Sequence, residues 1–322
     1  MNKDIITVLE AAYQIDSGSA WISGVVRSAA TALGLPGAVA VLYDASNPTW
    51  VDIEHMELVD VSPEFAKTLY ERPKDTMAPD FSEYLRKPIV SSVLKEPRTR
   101  DNYREDFRKQ GIDDVLVINA GDPSGKGCML AFPDKQREYP SSWVALWRRA
   151  AAHIASGNRL RRMLTRLAGL APSPDTAEAV IAPSGRVEHA VGSASPKAAR
   201  KALQEALVRI DTARSRKPSP ERGLELWRGL VSGRWSIVES FERDGKRYYL
   251  AYRNDPDVEP ASALSKREQQ VLAYAALGQS NKLIAYSLGL SLSSVSTLLA
   301  RARRKLRHPD ALALHPDPRK RD

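Results

Sequence analysis

The sequence predicts a multidomain α+β protein: a mixed α/β domain first, a smaller α+β module after it, and an all-α unit at the C-terminus. Three observations predict this. Strand-like runs such as GAVAVLY (37–43) and DVLVINA (114–120) alternate with amphipathic helical stretches over the first 250 residues. Proline, glycine and small polar residues cluster in GLAPSPD (169–175) and DPDVEPASA (255–263), the composition of linkers. Beyond residue 263 the strand-like runs stop, and capped helical periods take over. The expected units are therefore 1–171, 172–254, a linker at 255–263, a helical unit at 264–307 and a flexible tail at 308–322.

Within 1–171, residues Ile5 to Leu33 read as two helices, with Ile5, Ile6, Leu9, Ala12 and Tyr13 on one face. Gly37–Tyr43 and Trp50–Val61 read as strands, and Pro79 to Gln110 as amphipathic helix. Asp114–Ala120 and Gly127–Phe132 form a hairpin around GDPSGK, and a long helix over Ser141–Leu170 closes the unit. In the second module, AEAVIAPSGRVEHAVG reads as strand, turn at Pro183-Ser184-Gly185, strand. Lys197–Ala213 is a helix, Lys217–Gly223 a proline- and charge-rich loop, and Gly233–Ser240 with Arg247–Arg253 a second hairpin around Asp244-Gly245.

Residues 264–307 are the most informative. Ser265 followed by Glu268 is a capping box, and Leu264, Val271, Leu272, Ala275 and Ala276 recur at helical spacing behind it. Gly278 ends that helix. Ser280 caps a second, short helix with Ile284, Ala285 and Leu288 inward, and Gly289 breaks it. Ser291 caps a third helix with Val295, Leu298, Leu299, Ala302 and Leu306 inward. A small residue four before a glycine, and a β-branched residue six after it, is the spacing of a helix-turn-helix.

The third helix would be the reader. Its outward face runs through Ser293, Ser294, Ser296, Thr297, Ala300, Arg301 and Arg304. Short hydroxyl side chains approach base edges in the major groove, with Arg301 the long reader. Ser280, Asn281, Lys282 and Arg304 would meet phosphates. Lys266, Arg267, Lys282, Arg301, Arg303, Arg304, Lys305 and Arg307 stand against Glu268 alone in this segment, so it holds most of the chain's +9 formal charge.

The run LSKREQQVL…GQSNKLIAYSLGLSLSSVSTLLARARRKL resembles the DNA-binding domain of LuxR-type transcription regulators. That resemblance implies double-stranded promoter DNA as partner, with RNA polymerase nearby. Members usually carry a basic residue after the valine and often a histidine two further on; here those places hold Ser296 and Leu298. The family commonly has a fourth, dimerising helix, for which Pro309, Pro316 and Pro318 leave barely two turns. LGLSLSSVSTLLARARRKLR also resembles the −35-reading region of sigma factors, the alternative reading. The element order of 1–171 is similar in layout to GAF-type sensor domains, and that of 172–254 to an abbreviated PAS-like domain. Those layouts imply a small-molecule effector pocket or a homodimer seam.

Several chemical signals are set aside. GDPSGKG lacks the first glycine of a phosphate-binding loop, since Ala120 stands there, and Gly127 replaces its hydroxyl residue. Glu54 and His55 point to opposite faces of a strand, so they do not form a metal site with Glu57. Cys128 reads as a buried small hydrophobe, His153 as a surface or packing residue, and Trp143 with Trp147 as core or dimer packing. No catalytic set is visible, so a non-enzyme without cofactor or metal is expected. One cysteine excludes an internal disulfide. The absence of an 18-residue apolar run and the acidic residues in MNKDIITVLEAAYQ predict a cytoplasmic protein without membrane contact.

Overall fold

The computed structural model describes residues 5–15, 20–46, 51–70, 85, 89–95, 97–135, 138–166, 172–216, 218–232, 235–243, 246–256 and 264–307. Two helices, α1 (Ile5–Tyr13) and α2 (Ala20–Leu33), lead into β1 (Ala38–Asp44) and β2 (Asp52–Val59). Then come α3 (Pro63–Tyr70), β3 (Val90–Ser92), α4 (Pro97–Lys109), β4 (Asp114–Gly121), β5 (Lys126–Asp134) and the long α5 (Ser141–Arg166). The strands form one antiparallel sheet in the order β2-β1-β5-β4-β3.

Period-two alternation decides what each face of that sheet meets. Ala38, Ala40 and Leu42 of β1, with Leu116, Ile118 and Leu130, face α1, α2 and α5. Val39, Val41 and Tyr43, with Val115, Val117 and Met129, face a second core that includes Phe65 of α3 and Phe107 of α4. Both faces are covered, so β1 from Ala38 to Tyr43 and β4 from Val115 to Ile118 carry apolar side chains on both. The expected β4–β5 hairpin is present. Its turn closes through Asp122 N–H to Lys126 O (3.0 Å) and Gly125 N–H to Asp122 O (2.9 Å), with Gly125 at φ +84°. GDPSGK is thus a hairpin turn.

The next segment builds β6 (Ala179–Ile181), β7 (Val187–Ala190), α6 (Lys197–Arg216), α7 (Pro220–Ser232), β8 (Trp235–Arg243) and β9 (Lys246–Arg253). Its strands make a second antiparallel sheet in the order β7-β6-β9-β8. One apolar cluster runs from Ile5 of α1 through α5 to Leu224 and Trp227 of α7 and Tyr252 of β9. The first two modules therefore share a core that crosses position 171. At Gly157 of α5, an added Cβ would lie 2.0 Å from Ala12 O, so α1 and α5 meet at backbone contact.

Two expectations need correction. The helix read over Pro79–Gln110 is interrupted: Val90 to Ser92 pair with Ile118 to Leu116, and a 3-10 turn at Val93–Lys95 precedes α4. Pairing with β4 outweighs a helical pattern here; residues 79–84 lie outside the described residues. The proline-rich loop read over Lys217–Gly223 gives way to α7 at Pro220, so its last four residues are helical; Lys217 lies outside the described residues. Ser219 Oγ accepts from Arg222 N–H (3.3 Å) and Pro220 takes the first helical position, where it costs no hydrogen bond.

The C-terminal unit is α8 (Lys266–Ala276), α9 (Asn281–Leu288) and α10 (Leu292–Arg307), around a core of its own with Val271, Tyr274, Ile284, Ala285, Leu288, Val295 and Leu299. It does not hang free. Helix α9 lies on α5 and α7, and Tyr286 is 4% exposed. The Tyr286 hydroxyl donates to Leu224 O (3.0 Å) and lies 2.8 Å from His153 Nε2, while Tyr13 Oη lies 3.1 Å from His153 Nδ1. Because the Tyr286 proton is used on Leu224, Nε2 must carry hydrogen and Nδ1 must accept from Tyr13. His153 is thus wholly buried, not at the surface, and links both parts of the molecule. Burial pushes its pKa down to about 3, so it is neutral.

A second polar node sits beside it. Arg159 pairs with Asp122 and donates to Asn254 Oδ1 (2.8 Å) and Asn254 O (3.2 Å). Asn254 Nδ2 donates to Ser156 O (2.8 Å) and Ser236 Oγ (2.6 Å). The chain leaving β9 is pinned as well. Asp255 holds Arg253 (3.0 Å) and Lys266 (3.1 Å), and Pro256 O accepts from Gln270 Nε2 (3.4 Å). The first part of the expected 255–263 linker is therefore anchored to α8; 257–263 lie outside the described residues.

Candidate nucleic-acid interface

Each helix of the C-terminal unit is set by its caps. Ser265 Oγ accepts from Glu268 N–H (3.4 Å) and Glu268 Oε2 accepts from Ser265 N–H (2.8 Å), the reciprocal box. Burial would raise the Glu268 pKa, but Lys305 (2.7 Å) from the end of α10 and the Ser265 donors hold the carboxyl below its usual range. The box thereby ties α10 to α8. Ser280 caps α9 through Leu283 N–H (3.3 Å), and Ser291 caps α10 through Ser294 N–H (3.0 Å).

Between α9 and α10 the chain turns through 104° over Gly289, Leu290 and Ser291. Gly289 takes the left-handed conformation (φ 61°, ψ 36°), and Leu290 N–H reaches back to Ala285 O (2.9 Å). Ala285 and Val295 are buried where the two helices cross, as their spacing predicts. A short glycine turn between helices at this angle is helix-turn-helix geometry.

Residues 262–314 match the family model of bacterial regulatory proteins, luxR family. The match covers the whole helix-turn-helix and supports a DNA-binding transcription regulator. No curated protein matches the chain. No solved structure matches it.

On this luxR-family unit, the candidate residues divide by position. Ser280, Asn281 and Lys282 are exposed at the start of α9. Ser293, Ser296, Thr297, Arg301 and Arg304 are exposed along α10, on the side turned away from the unit's core. Ser294 differs: it is half-buried, and its hydroxyl lies 2.8 Å from the capping oxygen of Ser291. That side chain belongs to the cap. Leu306, expected inside, is 51% exposed and stands outside the unit's core. A fourth helix would fall at 308–322, outside the described residues.

Two groups escaped the sequence reading. Arg303 is exposed and stands seven residues from Ser296, on the same side of the helix. Tyr286 was not singled out, yet it carries the contact to His153 and Leu224. Heptad spacing could have found the first; nothing local signals the second. Among the described residues, Lys282, Arg301, Arg303 and Arg304 have no carboxylate within ion-pair distance, whereas Lys266 and Lys305 are engaged. The free cations all lie on the outward side.

The other chemical candidates are placed as follows. Cys128 is fully buried and burial pushes its thiol up to about 12, which leaves it inert at neutral pH. His55 and Glu57 form a 3.3 Å pair on β2, with Glu57 also accepting from Ser23 (2.6 Å). Trp143 and Trp147 are core. No cluster of three or more His, Cys, Asp or Glu able to hold a metal occurs among the described residues, and no single helix there is long and apolar enough to cross a membrane.

Proposed function

We propose that this protein is a cytoplasmic, bacterial-type transcription regulator that reads promoter DNA with α10. The observation that carries the reading is the reader face itself: a capped helix, set by a 104° turn, whose exposed side bears hydroxyls at its N-terminal end and unpaired arginines beyond. Ser293, Ser296, Thr297 and Arg301 meet base edges. Ser280, Asn281, Lys282 and Arg304 meet phosphates, aided by the positive end of α9.

The body supplies control. With a GAF-like layout ahead of a PAS-like one, it pairs two copies or takes a small-molecule effector, and so sets the spacing of two reader helices. Because α9 is docked on α5 and α7, such a rearrangement moves the reader with the body. RNA polymerase contact follows if the protein activates.

Fluorescence anisotropy of the full chain on duplex DNA across a salt series tests this. The two cations placed on phosphates, Lys282 and Arg304, predict a slope of log K against log salt of about −2 for each unit engaged. Lys282→Ala lowers affinity for all duplexes alike and reduces the slope by about 1, whereas Arg301→Ala costs about 1–3 kcal/mol on the preferred sequence alone. Salt-independent binding, or no effect of either change, removes the reading.

A further inference from the structure

The reader helix begins with a residue that neither phosphate nor polar base recognition uses. Leu292, the first residue of α10, is 53% exposed, and no part of the body covers it although the unit is docked. A single exposed leucine is ordinary on a protein surface. Its neighbours make this one different.

The hydroxyls closest to it are already engaged in capping. Ser291 Oγ accepts from Ser294 N–H (3.0 Å) and lies 2.8 Å from both Ser293 Oγ and Ser294 Oγ. In the first turn the Ser294 hydroxyl is drawn into the cap, and Leu292 stands exposed beside Ser293 as the one apolar group there. At 100° per residue, Ser296 and Arg303 lie within about 40° of Leu292 around the helix axis. Leu292 thus borders the exposed face, with small Ser296 and Ala300 beyond it, so a groove floor can approach without obstruction. The N-terminal residues of a recognition helix are the ones that reach base edges. The apolar group a base offers in the major groove is the thymine 5-methyl.

We infer that Leu292 is a specificity-determining residue that selects thymine by packing on its 5-methyl group. The inference rests on the DNA-reading function proposed above. It assigns the reader a mixed surface: an apolar thymine contact at the tip, hydroxyls in the next turn and arginines beyond.

The test uses the full chain on duplex DNA selected from a randomised library, with each thymine of the selected site then replaced by deoxyuridine, which lacks only the methyl. The wild-type chain is expected to lose about fourfold in affinity at one thymine per half-site, the value of one buried methyl. Leu292→Ala is expected to bind the thymine site more weakly and to show no further loss with deoxyuridine there. Leu292 is exposed and alanine favours helix, so the variant keeps the fold, which circular dichroism verifies. Selective binding in which no deoxyuridine matters, or a methyl effect that persists undiminished in Leu292→Ala, overturns this inference and leaves DNA reading intact. Failure of the wild-type chain to select or bind any duplex overturns both.

Discussion

At the residue scale, the protein is held together across its two parts by a chain of single hydrogens: Tyr13 to His153, His153 to Tyr286, Tyr286 to Leu224 O. Removing a link leaves a buried polar group short of a partner. Tyr286→Phe deletes one hydroxyl and takes the acceptor from His153 Nε2–H, whereas the Leu224 carbonyl lies inside α7 and keeps its helical donor. A loss of about 1–3 kcal/mol is expected in denaturant unfolding, with the exposed DNA-facing side chains untouched. His153 also sets a pH dependence. Its pKa of about 3 lies below the ordinary value of 6.5, so the unfolded chain takes up the proton first. This stabilisation is complete above pH 6.5 and is lost as pH falls from 6.5 to about 3, by at most about 1.4 kcal/mol per pH unit. Replacing His153 by Gln should flatten that part of the stability curve; a curve unchanged by the substitution would refute the assignment. None of this was legible in the sequence. A lone histidine in a helix beside Arg148 and Arg149 reads as a surface or packing residue, and its partners lie 140 and 133 positions away.

At the element scale, what could be read locally was read well. The serine caps of α8, α9 and α10 and the glycine stops after α8 and α9 act through residues three or four apart, so the sequence carries them directly. The same holds for the β4–β5 hairpin, whose turn chemistry lies within six residues. Elements settled by distant partners were misread. Strand β3 exists because Val90 to Ser92 find β4, and α7 was hidden because a proline beside charges was taken for loop chemistry. The crossing of α1 and α5 gives a sharp test. Gly157→Ala would place a methyl 2.0 Å from Ala12 O, a backbone atom that cannot swing aside. The helices must separate, and about 1–3 kcal/mol of stability should be lost in thermal or denaturant unfolding. An unchanged midpoint would mean that the two helices are not in backbone contact.

For the whole molecule, the consequence of docking is that the helix-turn-helix and the body are mechanically continuous. The shared core runs from α1 to β9, and α9 rests on it through Tyr286 while the outward face of α10 stays open. The Asp255 contacts to Arg253 and Lys266 make the start of the connection stiff where its composition suggested a hinge. Composition reports only that a segment lacks core residues; it does not report which ion pairs will hold it. The exposed arginines of α10 lie within the segment that matches the luxR family.

Selection of the full chain against a randomised duplex library, run side by side with Arg301→Ala, tests the account most directly. The wild-type chain is predicted to enrich a defined sequence, and Arg301→Ala to relax the preference at one position per half-site while keeping salt-sensitive binding. Enrichment of no sequence, or an identical motif from both proteins, would contradict the assignment of α10 as the reader.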